Sequence, residues 1–128
     1  MKRGFTLGEL IVATLILSVV LVSILSMYVS ANFSVQQARD LTIAAKDASG
    51  VFEHMKSLSL AEIKSNRGNS TYWNSVVNKT LSQESITVVN MDDTDTYWDN
   101  NPLELGVTVD WKERGRDANV TMISKFTD

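Results

Sequence analysis

The chain has 128 residues, with 12 basic and 15 acidic side chains that give a net charge of −3. This length suits one small domain, and the acidic balance argues against a nucleic-acid-binding protein, whose affinity depends on clustered Lys and Arg. The sequence contains no cysteine, which excludes disulfide bonds and thiolate metal sites. We therefore expect no nucleic acid partner.

A membrane-length apolar segment lies close to the N-terminus. Leu10 to Val29 (LIVATLILSVVLVSILSMYV) supplies 20 residues, about the number that a helix needs to cross the hydrocarbon core of a bilayer. Lys2 and Arg3 precede it, which favours a cytoplasmic N-terminus. The apolar run is longer than that of a cleavable secretory signal, and no Ala-x-Ala site follows it. The sequence thus predicts a single membrane-spanning helix.

Glu9 stands directly before this segment, and the next charged side chain is Arg39. A charged carboxyl costs roughly 2.5–3.5 kcal/mol near the centre of a membrane on insertion scales, and less near an interface. A plain single-pass membrane anchor fits the N-terminus but leaves Glu9 unexplained.

The octet Arg3–Leu10 (RGFTLGEL), between a short basic leader and a long apolar helix, resembles the processing site of type IV pilins and type II secretion pseudopilins. The resemblance implies that a prepilin peptidase, a membrane aspartyl enzyme, cuts after Gly4 and methylates the new N-terminal residue, Phe5. It also implies that Glu9 neutralises the terminal amine of a neighbouring subunit in the filament. A buried carboxylate is costly alone and tolerable when paired, which would explain why Glu9 is kept.

Three positions depart from the usual pattern of that family. Gly8 replaces an aliphatic residue, and a glycine in a helix interior costs about 1 kcal/mol relative to Ala. Ser18 and Ser26 stand where many major pilins have a glycine and a proline that let the helix melt on assembly. This anchor is therefore expected to stay continuous.

Four hydroxyl residues interrupt the apolar segment: Thr14, Ser18, Ser23 and Ser26. In one interpretation their side chains bond back to the preceding helical turn, as hydroxyls in membrane helices do. In the other, their small size lets neighbouring helices approach closely where lipid removes the hydrophobic driving force. Both suit a filament core, and we favour close approach.

The helix is predicted to continue beyond the membrane as an amphipathic stripe, because apolar residues recur at spacings of three and four. The stripe comprises Val35, Ala38, Leu41 or Thr42, Ala45, Ala48, Phe52 and Met55, followed by Leu58 or Ser59. Gly50 is a soft point for a bend, and Ser65–Asn69 is rich in residues that leave a helix readily. One helix should therefore run from about Phe5 to about Lys64, roughly 90 Å at 1.5 Å per residue.

The last third of the chain predicts an antiparallel sheet. Ser85–Val89 is one candidate strand, Gly106–Trp111 alternates apolar and polar residues, and Val120–Phe126 does so less regularly. Turn residues around Gly115 should join the last two strands into a hairpin. One face of that hairpin is expected to pack on the helix stripe, because a lone hairpin is marginal in water. It comprises Val107, Val109, Trp111, Val120, Met122 and Phe126.

The expected fold class is therefore α+β, with a long N-terminal helix and a three- or four-stranded antiparallel sheet on its distal half. Residues 1–4 would be a leader peptide and residues 5–30 the transmembrane and filament-core helix. Residues 31–128 would form a periplasmic or extracellular head that includes the amphipathic half of the helix.

No set of residues suggests catalysis. His54 is the only histidine, and a lone histidine is usually a packed or solvated residue. Asp92, Asp93, Asp95 and Asp99 place four carboxylates within eight positions, a spacing of oxygen ligands that suits a hard cation such as calcium. The segment lacks the glycine and the closing glutamate of an EF-hand. We expect a solvated acidic loop and no cofactor, with a calcium site as the alternative.

Two near-identical tetrapeptides, Thr71–Asn74 (TYWN) and Thr96–Asp99 (TYWD), occur 25 residues apart. Two matching tetrapeptides are too little to establish an internal repeat. Tryptophans in a small domain are most often core anchors, whereas exposed ones mark a subunit contact or a ligand platform. We favour the core interpretation for both.

The sequence predicts a structural subunit of the bacterial inner membrane, processed between Gly4 and Phe5 and incorporated as a minor component of a pilus or pseudopilus. Its acidic head and low mass suit an initiating or tip complex. A Val-x-Val-x-Trp strand, a charged glycine turn and a last strand resemble the pilus modification proteins and the I-type minor pseudopilins. The implied partners are other pilin subunits, the prepilin peptidase and the membrane.

The alternative from another class is a membrane-anchored binding module. In that case Glu9 would be incidental, and the two Tyr-Trp sites would grip a ligand such as a polysaccharide or a peptide. Processing by the peptidase discriminates between the two hypotheses. The sequence leaves a pilus, a secretion system and a DNA-uptake machine open as the apparatus.

Overall fold

The computed structural model describes residues 6–66, 68–91 and 102–127. The chain divides into two units, Met1–Gln37 and Ala38–Asp128. The predicted α+β fold class is confirmed, with a long N-terminal helix and an antiparallel sheet that packs against its later part. In chain order the elements are α1 (Leu7–Lys56), α2 (Leu60–Ser65), α3 (Ser70–Val76), β1 (Ser85–Asn90), β2 (Leu103–Glu113) and β3 (Arg116–Phe126).

Helix α1 is continuous through Ser18 and Ser26, as the sequence predicted. All four hydroxyls of the apolar segment bond to carbonyls of their own helix, with Thr14 donating to Ile11 O at 2.9 Å and Ser23 to Val19 O at 2.8 Å. The back-bonding interpretation is therefore confirmed, and close helix approach stays a prediction.

The predicted end of the first helix near Lys64 is wrong, since α1 stops at Lys56. Ser59 has an extended backbone, with φ −72° and ψ 154°, and begins the separate helix α2. Its amide donates to Glu62 Oε2 at 2.9 Å, and the amide of Glu62 donates back to Ser59 Oγ at 3.4 Å. This reciprocal pair is a capping box, which starts a new helix where the apolar spacing alone suggested continuation.

The predicted candidate strands are all present, within a three-stranded antiparallel sheet in the order β1-β2-β3. The central strand β2 pairs Val109 with Ile86 of β1 and with Val120 of β3. Arg114 and Gly115 both have positive φ, 53° and 80°, as in a two-residue type I′ loop, which matches the twist of a hairpin. Glycine reaches this conformation without strain.

Helix α3 was not predicted, because residues 70–76 carry no apolar period. Asn69 starts it by accepting a hydrogen bond from the amide of Tyr72 at 3.1 Å. The amide of Asn74 then bonds to both backbone groups of Ile86, donating to its carbonyl at 3.3 Å and accepting from its N–H at 2.9 Å. Helix α3 thereby satisfies part of the edge strand β1, whose backbone groups would otherwise be exposed to pairing.

The core of the second unit joins α1 to the sheet. The predicted hairpin face is confirmed, since Val107, Val109 and Trp111 are buried in the core and Val120, Met122 and Phe126 pack against it. On α1 the most buried positions are Ala44, Ala48, Val51 and Met55, so the face is centred on Ala44 and Val51 rather than on Ala45. Among the described residues, fourteen buried side chains form this core: Ala44, Ala48, Val51, Phe52, Met55, Ile63, Trp73, Ile86, Val88, Leu103, Leu105, Val107, Val109 and Trp111.

Gly50 lies within α1, and its lack of a side chain allows close packing. A Cβ at this position would lie 3.3 Å from Cγ1 of Val77, closer than ordinary van der Waals contact. The absence of a side chain therefore lets α1 approach the segment that follows α3.

We expect a chain that begins at Ser30 to fold as a soluble α+β domain, because it keeps the whole core and lacks most of the apolar segment. A chain that begins after Gly68 should not fold, because it lacks six core residues: Ala44, Ala48, Val51, Phe52, Met55 and Ile63. Thermal melting followed by circular dichroism compares the two. A cooperative melt of the shorter chain would contradict the role assigned to α1.

Candidate functional site

The first unit presents an exposed apolar helix. Of the 22 large apolar side chains exposed in the described residues, 18 lie between Leu7 and Val35. This part of α1 is long and apolar enough to cross a membrane, and none of its most apolar window is buried. A soluble core helix of this composition would be covered by its own chain. The helix is thus compatible with a membrane span, as predicted.

Glu9 is held at the start of this helix by Thr6. Its Oε2 accepts hydrogen bonds from the Thr6 amide at 2.9 Å and from the Thr6 hydroxyl at 3.0 Å. The Glu9 amide donates in return to Thr6 Oγ1 at 3.3 Å. The arrangement is a capping box, and a carboxylate in the first turn also suits the helix dipole.

The capping role of Glu9 was missed in the sequence analysis, although the spacing Thr6-x-x-Glu9 is the signature of a capping box. The cap stabilises the start of α1, and this explains the carboxylate of Glu9 without a contact to another subunit. The cap and the pairing predicted from the resemblance are compatible, since an ionised carboxylate has two oxygens with about four lone-pair sites.

Several predicted site residues lie outside the described residues. These are Gly4 and Phe5 of the processing site and the four carboxylates Asp92, Asp93, Asp95 and Asp99. Within residues 6–66, 68–91 and 102–127, no three His, Asp or Glu side chains come together as a metal site. The processing site and the calcium alternative therefore stay predictions.

The first Tyr-Trp site is structural. Trp73 is buried, with 1% of its surface exposed, and its indole N–H donates to the Asn66 carbonyl at 3.0 Å. Tyr72 is half-buried, packs edge-on against Trp73 and contacts His54, whose Nε2 lies 3.0 Å from the tyrosine hydroxyl. The core interpretation of Trp73 is therefore confirmed. The second site, Thr96–Asp99, lies outside the described residues.

His54 links α1 to α3 through this hydrogen bond. Its ring lies 6.1 Å from that of Tyr72, centroid to centroid, at a tilt of 44°. The neighbours that the structure gives His54 make it a packed histidine of the helix interface.

A pair of carboxyl groups, Asp47 on α1 and Glu84 before β1, was also missed in the sequence analysis. Glu84 is 6% exposed, and its Oε2 accepts from the amides of Thr80 and Leu81 at 3.1 and 3.0 Å. Glu84 Oε1 and Asp47 Oδ2 are buried without a hydrogen-bond partner. Partial burial and the neighbouring Glu84 raise the pKa of Asp47 from 3.8 to about 6. No local sequence motif predicts this pair, because its two residues come together only in the folded chain.

No protein-family model, curated protein or solved structure matches this chain. Hypotheses about its function therefore rest on its own residues and on the resemblance of its N-terminal octet.

Replacing Trp73 with Ala should lower the free energy of unfolding by about 3–5 kcal/mol, because it opens a cavity in the core. Tyr72→Phe is the matched milder change, since it removes only the hydroxyl bonded to His54 and should cost about 0.5–1.5 kcal/mol. Chemical denaturation of both variants measures these values. An unchanged stability of the Trp73→Ala protein would contradict the structural role of this site.

Proposed function

We propose that this chain is a structural minor subunit of a type IV pilus or a type II secretion pseudopilus. In this proposal it is inserted in the bacterial inner membrane with its N-terminus in the cytoplasm. It is cleaved after Gly4, methylated at Phe5, and assembled into a filament through the helix that begins at Leu7.

The observation that carries the proposal is the exposed apolar surface of α1 with a carboxylate at its start. Leu7 to Val35 spans 29 residues, or roughly 44 Å at 1.5 Å per residue, whereas a hydrocarbon core is about 30 Å thick. Phe33, Val35 and Leu41 continue the exposed apolar side chains beyond the predicted membrane segment. In a membrane these side chains would lie at or beyond the edge of the hydrocarbon core, and packing against the helices of other subunits would cover them.

The role proposed for Glu9 is the one that the resemblance implies, and the solvation of its charge supports it. In a membrane or a helix bundle its charge is poorly solvated, and the hydrogen bonds from Thr6 offset only part of that cost. A positive group at the same depth stabilises it further, and the terminal amine of a neighbouring processed subunit is such a group. The subunit would then be most stable when it is staggered correctly against its neighbour.

The four hydroxyl residues add a weaker argument. Because Ser18 and Ser26 bond to carbonyls of their own helix, they leave no unsatisfied group on its surface. They are also small, so they allow another helix to approach closely at those positions.

The alternative of a membrane-anchored binding module receives less support. It depends on exposed Tyr-Trp sites, and Trp73 of the first site is buried in the core. Only the second site, which lies outside the described residues, is left to that hypothesis.

Protein isolated from its bacterial membrane should begin at Phe5, lighter by residues 1–4 and heavier by one methyl group. Gly4→Leu should leave the full-length precursor in the membrane, because the peptidase is expected to require a small residue at the cut. Intact-mass spectrometry measures both.

Gly8→Ala is the matched control for this experiment, because it changes the other glycine of the octet and a Cβ there meets no atom within 4 Å. It should be processed normally. An unprocessed Met1 on chains recovered from the assembled filament would contradict the family assignment.

Glu9→Gln should insert into the membrane slightly more readily than the wild type and should enter the filament poorly. Glutamine can keep the capping bonds to Thr6 but lacks the negative charge that would pair with an amine. Membrane abundance and filament incorporation are measured separately by quantitative immunoblotting.

Glu9→Ala, which removes both the cap and the charge, separates the two roles of the carboxylate. If the charge matters, both variants should fail to enter the filament. Incorporation of Glu9→Gln at the wild-type level, with failure of Glu9→Ala alone, would mean that Glu9 acts only as a helix cap. Normal incorporation of both would remove Glu9 from assembly altogether.

A further inference from the structure

Asp47 and Glu84 form an acidic contact between α1 and the loop of residues 77–84. Their carboxyl groups interact directly, and each contributes one buried oxygen, Asp47 Oδ2 and Glu84 Oε1, that has no hydrogen-bond partner. Two ionised carboxylates in contact repel each other, and both of these oxygens can only accept. The contact is therefore unfavourable as long as both groups are charged.

The two carboxyl groups have different surroundings. Glu84 Oε2 accepts two backbone N–H groups, from Thr80 and Leu81. Partial burial and the neighbouring carboxyl of Glu84 both favour the neutral form of Asp47. Among the described residues, Lys46 and Arg39 line the same surface pocket as Asp47, and the positive charge of Lys46 partly opposes protonation of Asp47.

We propose that Asp47 and Glu84 share one proton, and that this proton fastens α1 to the 77–84 loop. An O–H group on Asp47 Oδ2 that donates to Glu84 Oε1 gives both buried oxygens a partner. The resulting bond between a carboxyl and a carboxylate is charge-assisted, which makes it stronger than a neutral hydrogen bond.

Loss of the proton would weaken the attachment of the 77–84 loop to α1 but not its attachment to the sheet. Its other side is held to the sheet, because the amide of Lys112 on β2 donates to the carbonyl of Ser82 at 2.9 Å. On the helix side, Gly50 lets Val77 approach α1 closely, and the carboxyl pair lies along the same face. When Asp47 ionises, repulsion from Glu84 pushes the loop away from α1. The attachment of the 77–84 loop to α1 therefore depends on pH.

The sign of the pH dependence follows from the raised pKa of Asp47. Below about pH 4 the carboxyl is protonated in both the folded and the unfolded chain, and between about pH 4 and 6 only the folded chain retains the proton. The contribution of this group to stability is therefore largest at low pH, falls as the pH rises to about 6, and is constant above that.

The test uses the full-length chain in detergent micelles, unfolded with denaturant at about pH 5 and about pH 7.5. Tryptophan fluorescence reports on the head, because all three tryptophans lie beyond residue 72. For the wild type, the titration of Asp47 should make the equilibrium constant for unfolding about tenfold larger at about pH 7.5 than at about pH 5. Asp47→Asn carries a permanent donor in place of the proton, so it should lose this tenfold change and exceed the wild type in stability at about pH 7.5.

Two further variants make the comparison specific. Glu84→Gln places a donor on the other side of the pair and should also flatten the pH dependence. Glu53→Gln removes a carboxylate from an exposed position of the same helix and should behave as the wild type at both pH values. An unchanged pH dependence in Asp47→Asn would overturn the proposal.

A spectroscopic measurement keeps the test independent of how well the variants fold. The infrared spectrum of the wild type should contain a carboxylic acid band that disappears with a midpoint near pH 6, and absence of this band would overturn the proposal. Calcium and magnesium chloride are added at about pH 7.5 as a second check. If either ion stabilises the wild type but not Asp47→Asn, the pair binds a cation and the shared-proton proposal is wrong.

Discussion

The head depends on the burial of one face of α1 against the sheet. Val51 and Met55 of α1 and Val107 and Val109 of β2 are fully buried in the same core. Burying each such side chain contributes about 1.5–3 kcal/mol, and the apolar face of the sheet needs a second element to bury it. The other features of the head are arranged around this contact, since α3 covers the edge of β1 and α2 adds Ile63 to the core.

Small residues set how closely α1 approaches its neighbours. Ala44 and Ala48 are fully buried, and Gly50 leaves space that Val77 occupies. A close approach brings the helix backbone near the 77–84 loop, and with it the carboxyl of Asp47 near that of Glu84. The proximity of the two carboxyl groups is thus a consequence of the same packing that stabilises the core.

The first unit differs from the second, because its apolar side chains are exposed. An apolar helix without a covering surface in its own chain must find one in lipid or in other chains. Glu9 is the charged group at the start of this surface, and its capping bonds with Thr6 stabilise the helix without removing the charge. The carboxylate therefore has one role within the chain, and in the proposed filament it has a second role between chains.

The sequence by itself determined the features that depend on local periodicity and composition. The apolar segment, the stripe of α1, the hairpin around Gly115 and the α+β class all follow from such patterns, and the capping boxes at Thr6 and Ser59 were also legible though not recognised. Only the tertiary structure decided that Trp73 enters the core, that Asn74 bonds to Ile86, and that Asp47 meets Glu84. The last two contacts join residues that are 12 or more positions apart in the sequence, and side-chain partners at such separations depend on how the elements pack. No local pattern specifies them, because their energy depends on burial that exists only after the chain has folded.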